Sequence, residues 1–362
     1  MIDKNITLSL DWISKTAKTF PKSDTSLIEK TIRALVLLEG LKQSKLNFIF
    51  KGGTALMLMQ QEKPKRLSID IDIIIEEIPQ NLNETLAEIV IPQGFTRLEG
   101  QNRITNSSIQ KGHYKFYYEP IYLTNRKEDY IMLDILFEEN LYQKVIETPL
   151  KSPFIEINGE PLTISTPSFE DILGDKMTAF APNTTGIPYF KSNDSKSMEI
   201  IKQLFDISNL FEEVSDIEII RNTFAKLAEI EAKYRQLDII ANDVLEDMYQ
   251  TVLCMALRGQ DGNCRFEDLL SGINQLKQYI ISEIYTFEKA LQSTGKIAYL
   301  SRMIAQNNQS SIEKFDKQIN LKDLVITQPH NTKLNKLKKT NPDAFWYWWK
   351  ATQQKNNKHF LL

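Results

Sequence analysis

Histidine and cysteine are scarce in this chain, with three of the first and two of the second among 362 residues. A structural zinc site takes about four such ligands, and Cys254, Cys264, His113, His330 and His359 have no such spacing. Two cysteines make no disulfide framework either, so a reducing, cytoplasmic setting is expected. No apolar run approaches the roughly 18 residues of a membrane span. The N-terminal "MIDKNITLSLDWISK" lacks the continuous apolar centre of a signal peptide. Excess positive charge is missing as well. The net charge is -3, so the molecule as a whole is no general binder of polyanions, although a local patch can be one. No Ser/His/Asp or Cys/His arrangement is legible.

What remains is an ordinary globular composition, 42% apolar and 25% charged, in a chain long enough for two domains. "SLIEKTIRALVLLEGLKQ" puts Leu27, Ile28, Ile32, Leu35, Leu38 and Leu41 on a broad helical face, with Ser23, Asp24 and Thr25 as candidate N-caps. "LNFIFK" reads as a short strand and "GGTALMLMQQ" as a helix that starts straight after it. "RLSIDIDIII" alternates with period 2 and reads as a strand. "GHYKFYYEPIYL" and "DYIMLDILFEE" read as two more strands, and Asn158-Gly159 is a hairpin turn signal. From Pro167 onward helical periodicity dominates to about residue 320, interrupted by the polar stretch 181–197, which is expected to be an exposed loop. The predicted boundary therefore divides residues 1–166, an α/β domain, from 167–362, a helical domain.

The chemistry concentrates in "FKGGTALMLMQQEKPKRLSIDIDIII". In a strand Asp70 and Asp72 share one face, with their Cα atoms roughly 7 Å apart. Such a pair is either the acidic solvent face of an amphipathic strand or a seat for a divalent cation. Gly52 and Gly53 lie between a strand and a helix, where the backbone can approach a phosphate and free N–H groups favour an anion. Thr54 adds a hydroxyl there. A phosphate cradle followed by Asp-x-Asp suits a nucleoside triphosphate held across magnesium. Asp134, within the apolar "YIMLDILFEE", is costly to bury unless paired or metal-bound, and it is the candidate third carboxylate. Glu138 and Glu139 read as solvated, and His113 as a plain strand residue or one that faces the cleft.

Taken in order, these motifs resemble the AbiEii/AbiGii toxin family, a branch of the DNA polymerase β-like nucleotidyltransferases. The resemblance rests on Gly52, Gly53, Thr54, Arg66, Ser68, Asp70 and Asp72, with "QQEKPK" lengthening the interval before the aspartates. Asp134 falls where the superfamily keeps its third acid. "EDILGDKMTAF" resembles the family helix whose lysine, here Lys176, lies near the triphosphate. "KQLFDISNL" resembles a later motif, here with Lys202 and Asp206; for Asp206 a structural helix contact is the open alternative. The likeness covers about residues 10–215.

The resemblance implies an α+β fold, a mixed nucleotidyltransferase sheet with helices followed by a mainly helical domain. It implies Asp70, Asp72 and Asp134 as magnesium ligands, with Lys176 beside them as a catalytic residue. Gly52, Gly53, Thr54, Arg66, Ser68, Lys176 and Asp206 would serve the nucleotide. The implied activity is that of a type IV toxin–antitoxin or abortive-infection toxin, moving a nucleotide from a nucleoside triphosphate to RNA, notably tRNA. An antitoxin acting without a stable complex is implied, and no membrane partner. The alternatives are transfer to a small-molecule hydroxyl and a non-catalytic nucleotide-binding module. The tail 333–358 holds seven lysines against one aspartate, with Phe345, Trp346, Trp348 and Trp349 interleaved. It reads as a helix docking its aromatics with lysines outside, or as a surface contacting RNA by charge and stacking.

Overall fold

A computed structural model describes residues 1–20, 23–101, 110–122, 127–260, 264–327, 330 and 332–354. The chain divides into two compact units. The first is Met1–Ser168 together with Gln278–Ile284, and the second is Phe169–Lys277 with Tyr285–Leu362.

In the first unit the helices are α1 (Lys4–Thr7), α2 (Leu10–Thr19), α3 (Thr25–Gln43), α4 (Gly52–Met59) and α5 (Leu82–Val90). Five strands, β1 (Ile49–Lys51), β2 (Ile71–Ile75), β3 (Arg97–Gln101), β4 (Gln110–Tyr118) and β5 (Asp129–Phe137), form one sheet in the order β1-β2-β5-β4-β3. Only β2 and β5 run parallel; the other neighbours are antiparallel, so the sheet is mixed. One face is apolar: Phe50, Ile71, Ile73, Leu133, Ile135 and Phe116 are at most 1% exposed. Burying that face is the main stabilising term of the unit.

α3 is buried nearly all round, as its continuous apolar sequence requires. The Asp24 carboxylate caps it by accepting from the Ser26 N–H at 2.7 Å. Inside it Arg33 and Glu29 are buried together, and burial lowers the Arg33 pKa from its usual value. Glu29 in turn accepts the Ile121 and Tyr122 N–H groups, which ties the loop after β4 to the helix. β6 (Val145–Pro149) pairs with β7 (Thr163–Pro167). Asn158-Gly159 therefore does not join two strands directly. It is one turn, with Gly159 at φ +77°, in the longer connection 150–162.

The second unit is helical: α6 (Phe169–Ala179), α7 (Ser197–Glu213), α8 (Ile217–Tyr234), α9 (Ala241–Ala256), α10 (Phe266–Leu276), α11 (Phe287–Ala305), a 3-10 turn (Lys333–Lys336), α12 (Leu337–Thr340) and α13 (Pro342–Gln353). The stretch 181–197 is only partly the exposed loop expected of it. Ala181 and Thr185 are buried, because the Asp247 carboxylate accepts from the Asn183 N–H, the Asn183 amide and the Thr184 hydroxyl. The exposed part is the short ribbon of β8 (Phe190–Lys191) and β9 (Asp194–Ser195). Cys254 and Cys264 form a disulfide, with Cα atoms 5.8 Å apart. Two cysteines are too few for a framework, but they form a local staple across ten residues, which a cysteine count does not reveal.

The tail takes the packing alternative. On α13, Phe345, Trp346 and Trp348 are buried, and the Trp348 indole donates to the Thr294 hydroxyl at 3.1 Å. His330 joins this cluster. Its Nε2 lies 2.7 Å from the Tyr249 hydroxyl, and burial, helped by the Arg302 charge, lowers its pKa to about 4. A base whose folded pKa lies below its unfolded value near 6.5 leaves the fold less proton-bound than the open chain. Its contribution is thus complete above about pH 6.5 and is lost as the pH falls toward 4. Thermal unfolding of the wild type is expected to lose more stability between pH 7 and pH 5 than that of His330→Gln. Parallel curves would remove His330 from the cause.

Candidate active site

The sheet's second face carries one polar row at a single register. Asp72 on β2 is the partner of Asp134 on β5, Lys51 on β1 is the partner of Asp72, and His113 on β4 is the partner of Asp134. Residues paired across strands project from the same face, and adjacent strands are about 4.8 Å apart. The row Lys51, Asp72, Asp134, His113 is therefore continuous across four strands. Asp72 and Asp134 are each partly exposed, and the His113 Nδ1 lies 2.6 Å from the Asp134 Oδ1. That contact answers the cost of a carboxylate in an apolar strand. It also takes the alternative reading of His113, a residue on the polar face beside Asp134. The alternation of "GHYKFYYEP" places His113 on the polar face, but the partner strand and register were not legible.

Asp70 is not within a strand: β2 begins at Ile71, and Asp70 is exposed immediately before it. Its carbonyl oxygen accepts the Thr54 hydroxyl at 2.5 Å, which ties the first turn of α4 to the approach of the aspartates. Thr54 is fully buried and so acts here as a tether.

The two glycines have separate reasons. Gly52 sits at φ +79°, and a Cβ there would overlap the Asp72 carboxylate. At Gly53 a Cβ would come within 2.6 Å of the Arg66 guanidinium and 2.8 Å of the Ser68 hydroxyl. Gly52, Gly53, Arg66, Ser68 and Asp72 are thus one packed group. No side-chain hydrogen bond caps the start of α4, and the first-turn N–H groups of a helix favour an anion.

Arg66 is buried and donates to the Leu67 carbonyl at 3.0 Å. It is held by the segment 278–284, where the Tyr279 carbonyl accepts the Leu67 N–H at 2.8 Å and Ile280 bridges Arg66. That strap comes from more than 200 residues away, and nothing local in the sequence announced it.

In the second unit Lys176 on α6 and Asp206 on α7 form a buried ion pair at 2.9 Å. The structure thus brings Lys176 and Asp206 together. Lys202 lies on the same helix.

Among the described residues no three His, Cys, Asp or Glu side chains enclose a metal ion by themselves. Magnesium ordinarily needs no such cage: one or two carboxylates hold it, and substrate phosphates and water complete the shell. Adjacent carboxylates on neighbouring strands, beside a glycine that leaves Asp72 uncovered, fit that requirement.

Carboxylates facing an anion-binding helix start suit chemistry on a nucleotide's phosphates, and the comparisons return that class, the nucleotidyltransferases. The family described as "Nucleotidyl transferase AbiEii toxin, Type IV TA system" matches residues 36–294, and the chain belongs to it. Two solved structures are similar over most of their length. JHP933 from Helicobacter pylori shares 16% identity at a TM-score of 0.42, covering 79% of this chain and 94% of its own. MenT4, a nucleotidyltransferase toxin from Mycobacterium tuberculosis H37Rv, shares 10% identity at a TM-score of 0.49, covering 93% and 98%. No curated protein matches the sequence. No helix among the described residues is long and apolar enough to cross a membrane.

One consequence follows for Gly52. An alanine there is strained by about 1–2 kcal/mol in the left-handed region and must also displace the Asp72 carboxylate. Gly159→Ala, at φ +77° with open space around it, carries the strain alone. Both variants are expected to lose stability in denaturant melts, Gly52→Ala the more because of the overlap with Asp72. Only Gly52→Ala is expected to lose nucleotide transfer, by about 10²-fold, since misplacing a reacting group by an ångström costs about that much. Equal activity in the two would separate Gly52 from the site.

Proposed function

We propose that this nucleotidyltransferase toxin transfers a nucleoside monophosphate from a nucleoside triphosphate to an RNA hydroxyl, most simply at the end of a tRNA. The observation that carries the reading is the register placing Asp72 beside Asp134, with Gly52 against Asp72 at the open start of α4. In this reading the triphosphate lies over Gly52, Gly53 and Thr54, with Arg66 and Ser68 fixing that backbone from beneath. Asp70, Asp72 and Asp134 would hold magnesium, which supplies charge neutralisation at the phosphates when bound.

The acceptor oxygen attacks the α-phosphorus, the bond from that phosphorus to the bridging oxygen breaks, and pyrophosphate leaves. Asp134 helps to orient the acceptor hydroxyl through Oδ2, because its Oδ1 is engaged by His113 Nδ1, and the acceptor proton passes to water. Lys176 is assigned to the triphosphate by family resemblance, and Asp206 orients it. Positioning and fixed charge then supply most of the rate. The antitoxin of the system acts without forming a stable complex with this chain, in the cytoplasm.

The test is incubation of the protein with each α-labelled nucleoside triphosphate, magnesium and total bacterial RNA. Label is expected in tRNA-sized RNA, from one preferred nucleotide, and none without magnesium. Label entering only small hydroxyl compounds would replace the RNA acceptor. Failure to bind any nucleotide would remove the site itself.

A further inference from the structure

We infer that the second unit carries a docking surface for the RNA backbone, built from Lys322, Lys333, Lys336 and Lys339. The inference rests on the RNA-acceptor reading above. It starts from spacing. Lys333, Lys336 and Lys339 recur every three residues through the 3-10 turn and α12. That interval lines side chains along one edge of a 3-10 turn and keeps i and i+3 neighbours in an α-helix. Leu334 and Leu337 are buried, and the three lysines are exposed.

The base beneath the row is fixed. Asn335 donates from its amide to the Ile326 carbonyl at 2.7 Å and accepts the Ile326 N–H at 2.9 Å. Lys338 reaches back to the Lys322 carbonyl at 3.1 Å, with its ammonium over the Phe345 ring. The strap holding Lys322 therefore lies against the row, and Lys322 extends the exposed charge.

None of the four exposed lysines forms an ion pair among the described residues. From Thr332 to Asn341 there is no acidic residue, and Asp323 is the one acid on the adjacent strap segment 321–327. In a chain of net charge -3, these lysines form a local excess set apart from the rest. Lys233 with Glu229 and Lys151 with Glu62 are exposed lysines that have an acidic partner, whereas these four stand close together without one.

The chemistry favours a phosphodiester backbone over a lipid surface. A membrane-seeking segment presents apolar side chains beside its lysines, and here Leu334 and Leu337 point inward. Lysines contact phosphates as point charges without reading sequence, so this surface supplies affinity and leaves the choice of acceptor atom to the site.

The test measures binding of the full chain to tRNA-sized RNA by fluorescence anisotropy across a potassium chloride series, beside steady-state label transfer. Each phosphate contact contributes a slope of about 0.7–0.9 in log affinity against log salt. The variant K322A/K333A/K336A/K339A is expected to lose about 3 from that slope. It should raise the KM for RNA while keeping kcat and nucleotide binding, and a K151A/K233A control should change neither. If wild type and variant label RNA with the same KM and slope, the surface is overturned while the RNA-acceptor reading stands. If the wild type neither binds nor labels RNA, both fall together. Binding to vesicles containing anionic phospholipid, without RNA binding, would overturn the surface in favour of a membrane contact.

Discussion

Asp72→Asn is expected to lower nucleotide transfer by on the order of 10³-fold while leaving the thermal transition where it was. Asparagine preserves the shape that Gly52 accommodates and removes only the charge. Asp72 is partly exposed and asparagine keeps its shape, so stability is not expected to change much. In the proposed reading transfer, by contrast, needs a carboxylate beside that of Asp134 to hold the magnesium that would neutralise phosphate charge. Initial rates of label incorporation at saturating magnesium, together with a melting curve, separate the two effects. Near-wild-type transfer by Asp72→Asn would refute the assignment. A collapsed melting transition would instead make Asp72 structural. Asp70→Asn sets a useful scale. Asp70 precedes the strand and is exposed, so its loss tests whether the first aspartate of the pair matters as much as the one held in register.

What was legible in the sequence was local. Period-2 alternation around Ile71 and Leu133 marked two strands, and the glycine pair marked the start of α4, because those signals need no knowledge of distant partners. The order of motifs identified the family before any contact was known. The register was not legible. That Asp72 and Asp134 are neighbours follows from parallel pairing of strands some sixty residues apart, and the sequence contains no record of that alignment. The two readings of His113 stayed open for the same reason, since its contact with Asp134 appears only when β4 is set against β5. The strap at 278–284 lies within a run that otherwise reads as helical domain, and its apolar Tyr279, Ile280 and Ile281 gave no hint of which chain segment they would hold. The disulfide belongs to the same class: closure depends on the path from the end of α9 to Cys264 rather than on composition.

Lys176→Met is expected to be the most destabilising single change proposed. It removes the Lys176 ammonium from the Asp206 carboxylate, which is 2% exposed, and breaking a buried pair on one side costs about 3–5 kcal/mol. Loss of activity in that variant is therefore ambiguous, because a lysine lost from the nucleotide and a lysine lost from the fold give the same assay result. The double variant K176M/D206L resolves this. Replacing both members of a buried pair by apolar groups is commonly neutral or stabilising, since no uncompensated charge remains. The expected outcome is recovery of the melting transition to near the wild-type value without recovery of transfer. A folded but inactive double variant would place the Lys176 charge in the reaction, as the family resemblance implies. A folded and active one would confine Lys176 and Asp206 to joining α6 with α7. The carboxylate row on the sheet would then have to handle the triphosphate with the backbone of α4 alone.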